Sequence, residues 1–378
     1  MTAHLSDAAS IVGVAEAEIG WDTKYNASEI MAIATHAALA DAGLALSDVD
    51  GVFAVTPYYW MSSVTLAEQL GIQPRYTDST NLGGCSFVSH LGHAVSAIAT
   101  GRCEVAVIAY ASTQRSDGGK LVTGADNLPY EVPYGFQHPI SAYALAAQRH
   151  MHEFGTTREQ LAQVTVTASE WAALNPAALK RERLTVEEVC VSPLISDPLR
   201  KLDCCLITNG GGAVVVTSRE RAAGLRAHSV KVVGVGESHT HRYGAAMRSY
   251  TTTAAVESGR SAYEMAGVGP KDIDVVEIYD AFTINVILGL EDLGFCAKGD
   301  GGPTVAAGIG PGSRVPVNTT GGGLRYCHPG MFGIFLLIEA VRQLRGNVGA
   351  RQVAGARHAL VHGIGGVLSG HATAILAA

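Results

Sequence analysis

The hydrophobic and polar positions of this chain repeat. An alanine-rich stretch with helical spacing, Glu29 to Asp41, stops at Gly43, passes a short turn bearing Asp, and enters an apolar run that reads as a buried strand. The succession comes back further along: Ala42-Gly-Leu-Ala-Leu-Ser-Asp-Val-Asp-Gly-Val52 aligns without gaps on Ala266-Gly-Val-Gly-Pro-Lys-Asp-Ile-Asp-Val-Val276. Glycine suits a helix end, where left-handed backbone costs it nothing, and aspartate suits the turn. A second pair follows each copy. Asn81-Leu-Gly-Gly-Cys-Ser86 precedes a helical stretch to Thr100, Gly101 and a strand from Glu104 to Ala111. Asn318-Thr-Thr-Gly-Gly-Gly323 precedes a helical stretch from Phe332 to Leu344, Gly346 and a strand from His358 to His362. The pattern predicts a duplicated α/β fold with its two halves packed together. Residues 112–151 and 170–205 fit neither half, so the region of about 112–205 reads as an inserted loop region covering a binding site.

Composition narrows the function. Hydrophobic residues make up 47% of the 378 and charged ones 16%, which excludes intrinsic disorder. A net charge of −7 with no basic stripe argues against nucleic acid. The longest uncharged apolar run, Met331 to Ile338, is far below the ~20 residues that span a bilayer. No basic-then-apolar signal opens the chain, and seven cysteines form no disulfide framework. A cytoplasmic protein in a reducing compartment is the expectation.

Four places carry candidate chemistry. Cys85 follows Gly83-Gly84 at the start of a helix, where the positive end of the helix dipole favours a nucleophilic thiolate. The bland alternative is a small buried hydrophobe at a tight turn. Tyr326-Cys327-His328-Pro329-Gly330 stands at the equivalent place in the second half, so His328 can meet Cys85 at one centre as a general base. His362-Gly-Ile-Gly-Gly366 closes the last long strand. It lacks the βαβ context of a dinucleotide site, and reads instead as a turn approaching a substrate, with His362 facing the same cavity. Tyr279-Asp280-Ala281-Phe282 joins the strand Val275 to Ile278 to a helix running through Leu293. There Asp280 reads as an N-cap, and Tyr279 as a hydroxyl donor to a developing oxyanion. The pairs His90/His93 and His150/His152 lack a third ligand at a metal spacing, so no metal is assigned.

Taken together these residues resemble the thiolase superfamily, in particular its sterol carrier protein-x branch. Cys85 precedes Gly101 by the family's spacing, and Asn318 to Gly330 resembles its Asn-x-x-Gly-Gly…Gly-His-Pro motif. Leu290-Glu-Asp-Leu-Gly-Phe-Cys296 and Pro198-Leu-Arg-Lys-Leu-Asp203 also look like this branch. The resemblance implies two thiolase halves, 1–225 and 226–378, each a mixed five-stranded sheet, layered αβαβα. Two departures stand out: His362 occupies the place of the family's second cysteine, and Tyr279 that of an asparagine. Tyr279 and Tyr326 look like the tyrosines of the steroid side-chain retro-aldolases.

The favoured reading is a thiolase. Cys85 would attack a β-ketoacyl-CoA, His328 activate CoA, His362 exchange the proton of the enolate carbon, and the N–H groups of Gly365 and Gly366 form the oxyanion hole. An alternative is a retro-aldolase using Tyr279 and Tyr326, and a third is a non-catalytic acyl-CoA-binding subunit. CoA is expected as co-substrate with no tightly bound cofactor, and Arg115, Lys120, Arg181 and Arg183 are the candidates for its phosphates. The resemblance also implies a homodimer through the N-terminal halves and a small OB-fold partner with a zinc ribbon.

Overall fold

In this computed structural model, which describes residues 5–117, 130–225 and 228–378, one unit occurs twice. The first comprises β1 (Ala9–Gly20), α1 (Ala27–Ala42), β2 (Gly51–Ala54), α2 (Ser62–Leu70), β3 (Tyr76–Asp78), α3 (Ser86–Ala99) and β4 (Val105–Ser112). Next come α4 (Ile140–Phe154), α5 (Arg158–Leu174), α6 (Val186–Val191) and the hairpin β5 (Leu194–Ser196) and β6 (Leu199–Arg200), before β7 (Asn209–Ser218) and α7 (Arg219–Ala223) complete the first unit. The second holds β8 (Val230–His239), α8 (Ala255–Ala266), β9 (Val275–Ile278), α9 (Thr283–Asp292), α10 (Gly301–Ala307), α11 (Gly322–Arg325), α12 (Gly333–Arg345), β10 (His358–Gly365) and β11 (Gly370–Ala377).

The strands run β3-β2-β4-β7-β1 and then, in mirrored order, β8-β11-β10-β9. Val317 bridges Val276 in parallel beyond β9, in the place that β3 takes in the first half. The two expected sheets form one ladder of nine strands, because β1 pairs with β8 at Ser10–Lys231 and Ile11–Val230. Helices α3 and α12 pack against each other and against strands of both halves, while α1 covers the first half and α8 the second from outside. This is the five-layer α/β arrangement.

Strand periodicity explains the layers. Every residue of β4 is buried, with Ala106, Ile108 and Tyr110 facing the core around α3 and Val105, Val107, Ala109 and Ala111 facing the one around α1. Burying a side chain of valine or isoleucine size contributes about 1.5–3 kcal/mol. A one-residue slip would exchange the two sets, so the pattern pins the register. Local signals agree: Asn26 and Glu29 cap α1 reciprocally, and Gly43 and Gly267 end α1 and α8 in left-handed backbone.

The inserted region differs from its expectation as loop. Thr157 with Gln160 and Thr185 with Glu188 form capping boxes that start α5 and α6. Leu161, Ala162, Val164, Thr165, Ala168, Trp171 and Ala172 then give α5 a buried face. The region is bolted to the second half through buried His150, 2.9 Å from Glu291. Among the described residues no helix is long and apolar enough to cross a membrane, and no group of three or more His, Cys, Asp or Glu could hold a metal ion.

Candidate active site at the junction of the two halves

Gly83–Cys85 form a single 3-10 turn, and Cys85 is the last residue before α3. The ends of β10 and β11 close over it. A Cβ added to Gly365 would stand 2.8 Å from the Cys85 sulfur and 1.7 Å from the Leu82 carbonyl oxygen, and one on Gly363 would stand 2.8 Å from Cys85 Cα. Only glycines let the backbones meet this closely. The thiol donates to the Leu82 carbonyl at 3.3 Å and has no exposed surface. Burial, and then the charge of Glu237, push its pKa from 9.0 up to about 12.

That overturns the thiolate expected from the helix start. A rise of this size is worth roughly 4 kcal/mol, whereas a helix terminus supplies about 0.3–1 kcal/mol, or ~2 in a favourable partly buried geometry. Loss of water wins.

His362 does not face the same cavity. The pairings place Gly363 opposite Ala372 and Glu237, and Gly365 opposite Gly370 and His239. This row of glycine, alanine, glutamate and histidine looks toward Cys85. His362 belongs to the other row, with Thr373 and Gly236. Its Nδ1 lies 2.9 Å from Thr373 Oγ1, which lies 2.9 Å from Ser258 on α8, and its Nε2 lies 3.0 Å from His371 Nδ1. Strand geometry alone sends it to the α8 side.

Tyr279 and His328 do come together. Tyr279 Oη is 3.0 Å from His328 Nε2 and 3.4 Å from the Gly330 carbonyl, with the rings edge to face at 5.6 Å. Desolvation lowers the His328 pKa to about 4, so its imidazole is neutral at pH 7. Desolvation also holds the Tyr279 phenol well above its usual value. Beneath them Thr208 clamps the segment: it accepts the His328 N–H at 3.1 Å and donates its own N–H to the His328 carbonyl at 3.2 Å. Nothing in the sequence singled out Thr208, which sits in an extended loop.

Asp280, read as an N-cap of the following helix, caps a different element. Its carboxylate accepts the N–H groups of Gly323 (2.7 Å) and Leu324 (3.4 Å) at the start of α11. Gly322 has φ +62, and a Cβ there would fall 2.0 Å from Asp280 Oδ2. The Gly321–Gly323 turn thus wraps a buried carboxylate on its way to His328. Tyr326 parts company with Tyr279: it is buried beside Glu16, which is paired with Arg342 at 2.6 Å.

The Gly366–Ser369 turn beside Cys85 is tied down by residues the sequence did not suggest. Tyr143 Oη donates to the Gly366 carbonyl at 3.2 Å, and His241 Nε2 lies 3.0 Å from the Val367 carbonyl. Next to it opens a cavity of about 350 Å³ lined by His241, Arg248, Ser249, Thr252 and Leu368 among others. The basic residues expected to hold CoA lie elsewhere: Arg115 stacks over Trp21 at 5.7 Å, Arg181 bonds the Ala173 carbonyl at 3.2 Å, and Arg183 is exposed. Lys120 lies outside the described residues.

Comparison with known proteins agrees with the architecture. Residues 236–378 match the family model "Thiolase C-terminal domain-like". The acetyl-CoA acetyltransferase of Methanothermobacter thermautotrophicus is 34% identical over 94% of this chain and 96% of its own. The steroid side-chain-cleaving aldolase of Thermomonospora curvata is 35% identical over 90% of this chain and 91% of its own. The solved Ltp2-ChsH2(DUF35) aldolase superposes with a TM-score of 0.91 at 33% identity, covering 99% of this chain and 98% of that one. With the duplicated fold and relatives of both chemistries spanning nearly its whole length, the chain belongs to the thiolase superfamily, in the branch of the sterol carrier protein-x type thiolases and the steroid side-chain aldolases.

Proposed function

We propose that this protein cleaves the Cα–Cβ bond of a β-hydroxyacyl-CoA by a retro-aldol reaction. One observation carries the reading: Tyr279 and His328, at 3.0 Å, form a neutral donor–acceptor pair at the site, whereas Cys85 is a protonated, enclosed thiol. The β-hydroxyl proton passes to Tyr279 oxygen as the Tyr279 proton passes to His328 Nε2. The electron pair of the breaking C–C bond moves into the thioester as an enolate, leaving a carbonyl on the departing fragment. The N–H groups of the Gly365–Gly366 turn are the donors for the enolate oxygen. The CoA portion enters by the cavity at Leu368, with Arg248 toward its phosphates. The relatives include an enzyme named as a steroid side-chain-cleaving aldolase, in keeping with this chemistry.

The thiolase reading is the second, favoured by the position of Cys85 at the start of α3 between the two halves. Further parts of the proposal are a homodimer through the N-terminal halves, where β3 leaves an open sheet edge, and a small OB-fold, zinc-ribbon partner. The solved relative's name pairs Ltp2 with ChsH2(DUF35). Seven free cysteines suit the cytoplasm.

Kinetics on matched β-hydroxyacyl-CoA and β-ketoacyl-CoA substrates test the choice. Tyr279→Phe should lower cleavage of the hydroxy substrate by about 10²–10⁴-fold, the range of a general acid–base group, while Cys85→Ala keeps most of it. A loss of ~10³-fold or more in Cys85→Ala, with an acyl adduct on the wild-type protein, would establish the thiolase instead.

A further inference from the structure

The enolate left by either chemistry must take up a proton at its α-carbon, and His362 is on the wrong face to give it. The row of β8, β11 and β10 that looks toward Cys85 consists of Glu237 and His239, Ala372 and Gly370, Gly363 and Gly365. Its chemistry lies entirely in the first two. A Cβ built on Gly370 would stand 2.8 Å from His239 Nδ1 and 3.4 Å from Cys85 Sγ, so the nitrogen and the sulfur are no further apart than the sum of those distances, 6.2 Å. The histidine therefore overlooks the enclosed thiol across a strand that carries no side chain at this point.

Glu237 orients it. One carboxylate oxygen lies 3.4 Å from His239 Nε2, and the other accepts the Ser89 hydroxyl and lies 3.7 Å from His93 on α3. Carboxylate to one ring nitrogen, with the other nitrogen toward the reacting centre, is the arrangement that sets the tautomer of an acid–base histidine. The His239 side chain is 37% exposed, while Cys85 is sealed. The imidazole can thus exchange its proton with water at the mouth of the site. His241, two residues on, is held by Thr240 and the Val367 carbonyl and serves the turn.

We propose that His239, oriented by Glu237, is the acid–base group that delivers the proton to, and removes it from, the α-carbon of the acyl-CoA. In the cleavage direction the Nδ1–H of the imidazolium protonates the enolate carbon. The enolate pair forms the new C–H bond and neutral imidazole remains; solvent returns a proton to it and takes the one left on His328, so the net transfer is from the β-hydroxyl to the α-carbon. This rests on an acyl-CoA enolate being formed in the site, as in the reading above.

The test is α-proton exchange in D₂O, followed by proton NMR and mass spectrometry, on propionyl-CoA, which has no β-oxygen and no bond to cleave. The wild-type protein should wash deuterium into the α-position. His239→Gln should lower that rate by about 10²-fold, and Gly370→Ala should lower it too by pushing its methyl between His239 and Cys85. His362→Asn, on the opposite face, should keep it within a few-fold, with equal thermal melting of the His239 variant and wild type excluding misfolding. Exchange surviving in His239→Gln at more than a third of the wild-type rate, lost in His362→Asn instead, or absent from the wild-type protein would each overturn the proposal. Failure of the retro-aldol reading shows separately, as absent cleavage of β-hydroxyacyl-CoA substrates by a protein that still exchanges propionyl-CoA.

Discussion

Asp280→Asn probes the carboxylate around which the histidine-bearing turn is built. Asp280 is 1% exposed, and loss of water raises its pKa from 3.8 to about 7 against the pull of the Gly323 and Leu324 N–H groups. In the unfolded chain the proton leaves near 3.8; in the folded protein it stays until about 7. Between those values the folded state holds one proton more. The stability contributed by this group is therefore full below about pH 4 and is lost as pH rises to about 7. At about 1.36 kcal/mol per unit, the loss from pH 5 to pH 8 is about 2.7 kcal/mol. An unfolding entropy of about 2.1 cal/mol/K per residue makes this ~3 °C in Tm for a chain of this length. Asparagine keeps a carbonyl oxygen for the Gly323 N–H, surrenders the longer Leu324 bond, and cannot ionise. Thermal melts of both proteins at pH 5, 6, 7 and 8 and constant ionic strength should show the wild type losing ~3 °C relative to Asp280→Asn across the series. Titrations common to the two proteins cancel in that difference. A gap constant to within ~1 °C would mean that Asp280 is ionised throughout, and the argument from desolvation would fail.

Two further predictions follow from buried groups. Iodoacetamide at pH 7 should modify the part-exposed Cys190 well before Cys85, whose thiol is sealed and pushed up to about 12; peptide mapping that finds Cys85 labelled first would contradict this. Arg351 holds Glu339 with two bonds of 2.9 Å, and Thr319 joins Glu339 to the buried Glu277. Arg351→Met should cost about 3–5 kcal/mol by stranding the Glu339 carboxylate, a fall of ~4–6 °C in Tm, and an unchanged melting temperature would show that the cluster is already neutral.

The fold was legible because its information is local and repeated. The gapless match between Ala42–Val52 and Ala266–Val276 marks two helix–turn–strand units, and both turns occur where it places them. The joining of the halves into one ladder was not legible: it rests on two residue pairs between β1 and β8 that no periodicity announces. The helices of the insertion escaped for another reason. Their capping boxes at Thr157 and Thr185 are plain in the sequence, but the stretch lacks the repeat that marks the elements of the two halves.

The site was legible as a set of motifs and not as a set of directions. His362-Gly-Ile-Gly-Gly366 marks the strand that reaches Cys85, yet a strand turns alternate residues to opposite faces, so an error of one position moves a side chain across the sheet. The alternation itself carries the answer. Glycines at 363 and 365 share a face, and two glycines two apart on a buried strand mark where another backbone comes close. That backbone is the Leu82–Cys85 turn, so Ile364 between the glycines, and His362 in the same row, must point elsewhere. Applied across the pairings Gly365–Gly370 and Gly370–His239, the same rule carries the open face two strands over, to a histidine that no motif contains. The sealing of the thiol has the opposite character. It arises only when β10 and β11 fold over the start of α3, a contact between residues far apart in the chain. A helix-start cysteine read locally therefore promises a thiolate, where the assembled protein holds a thiol.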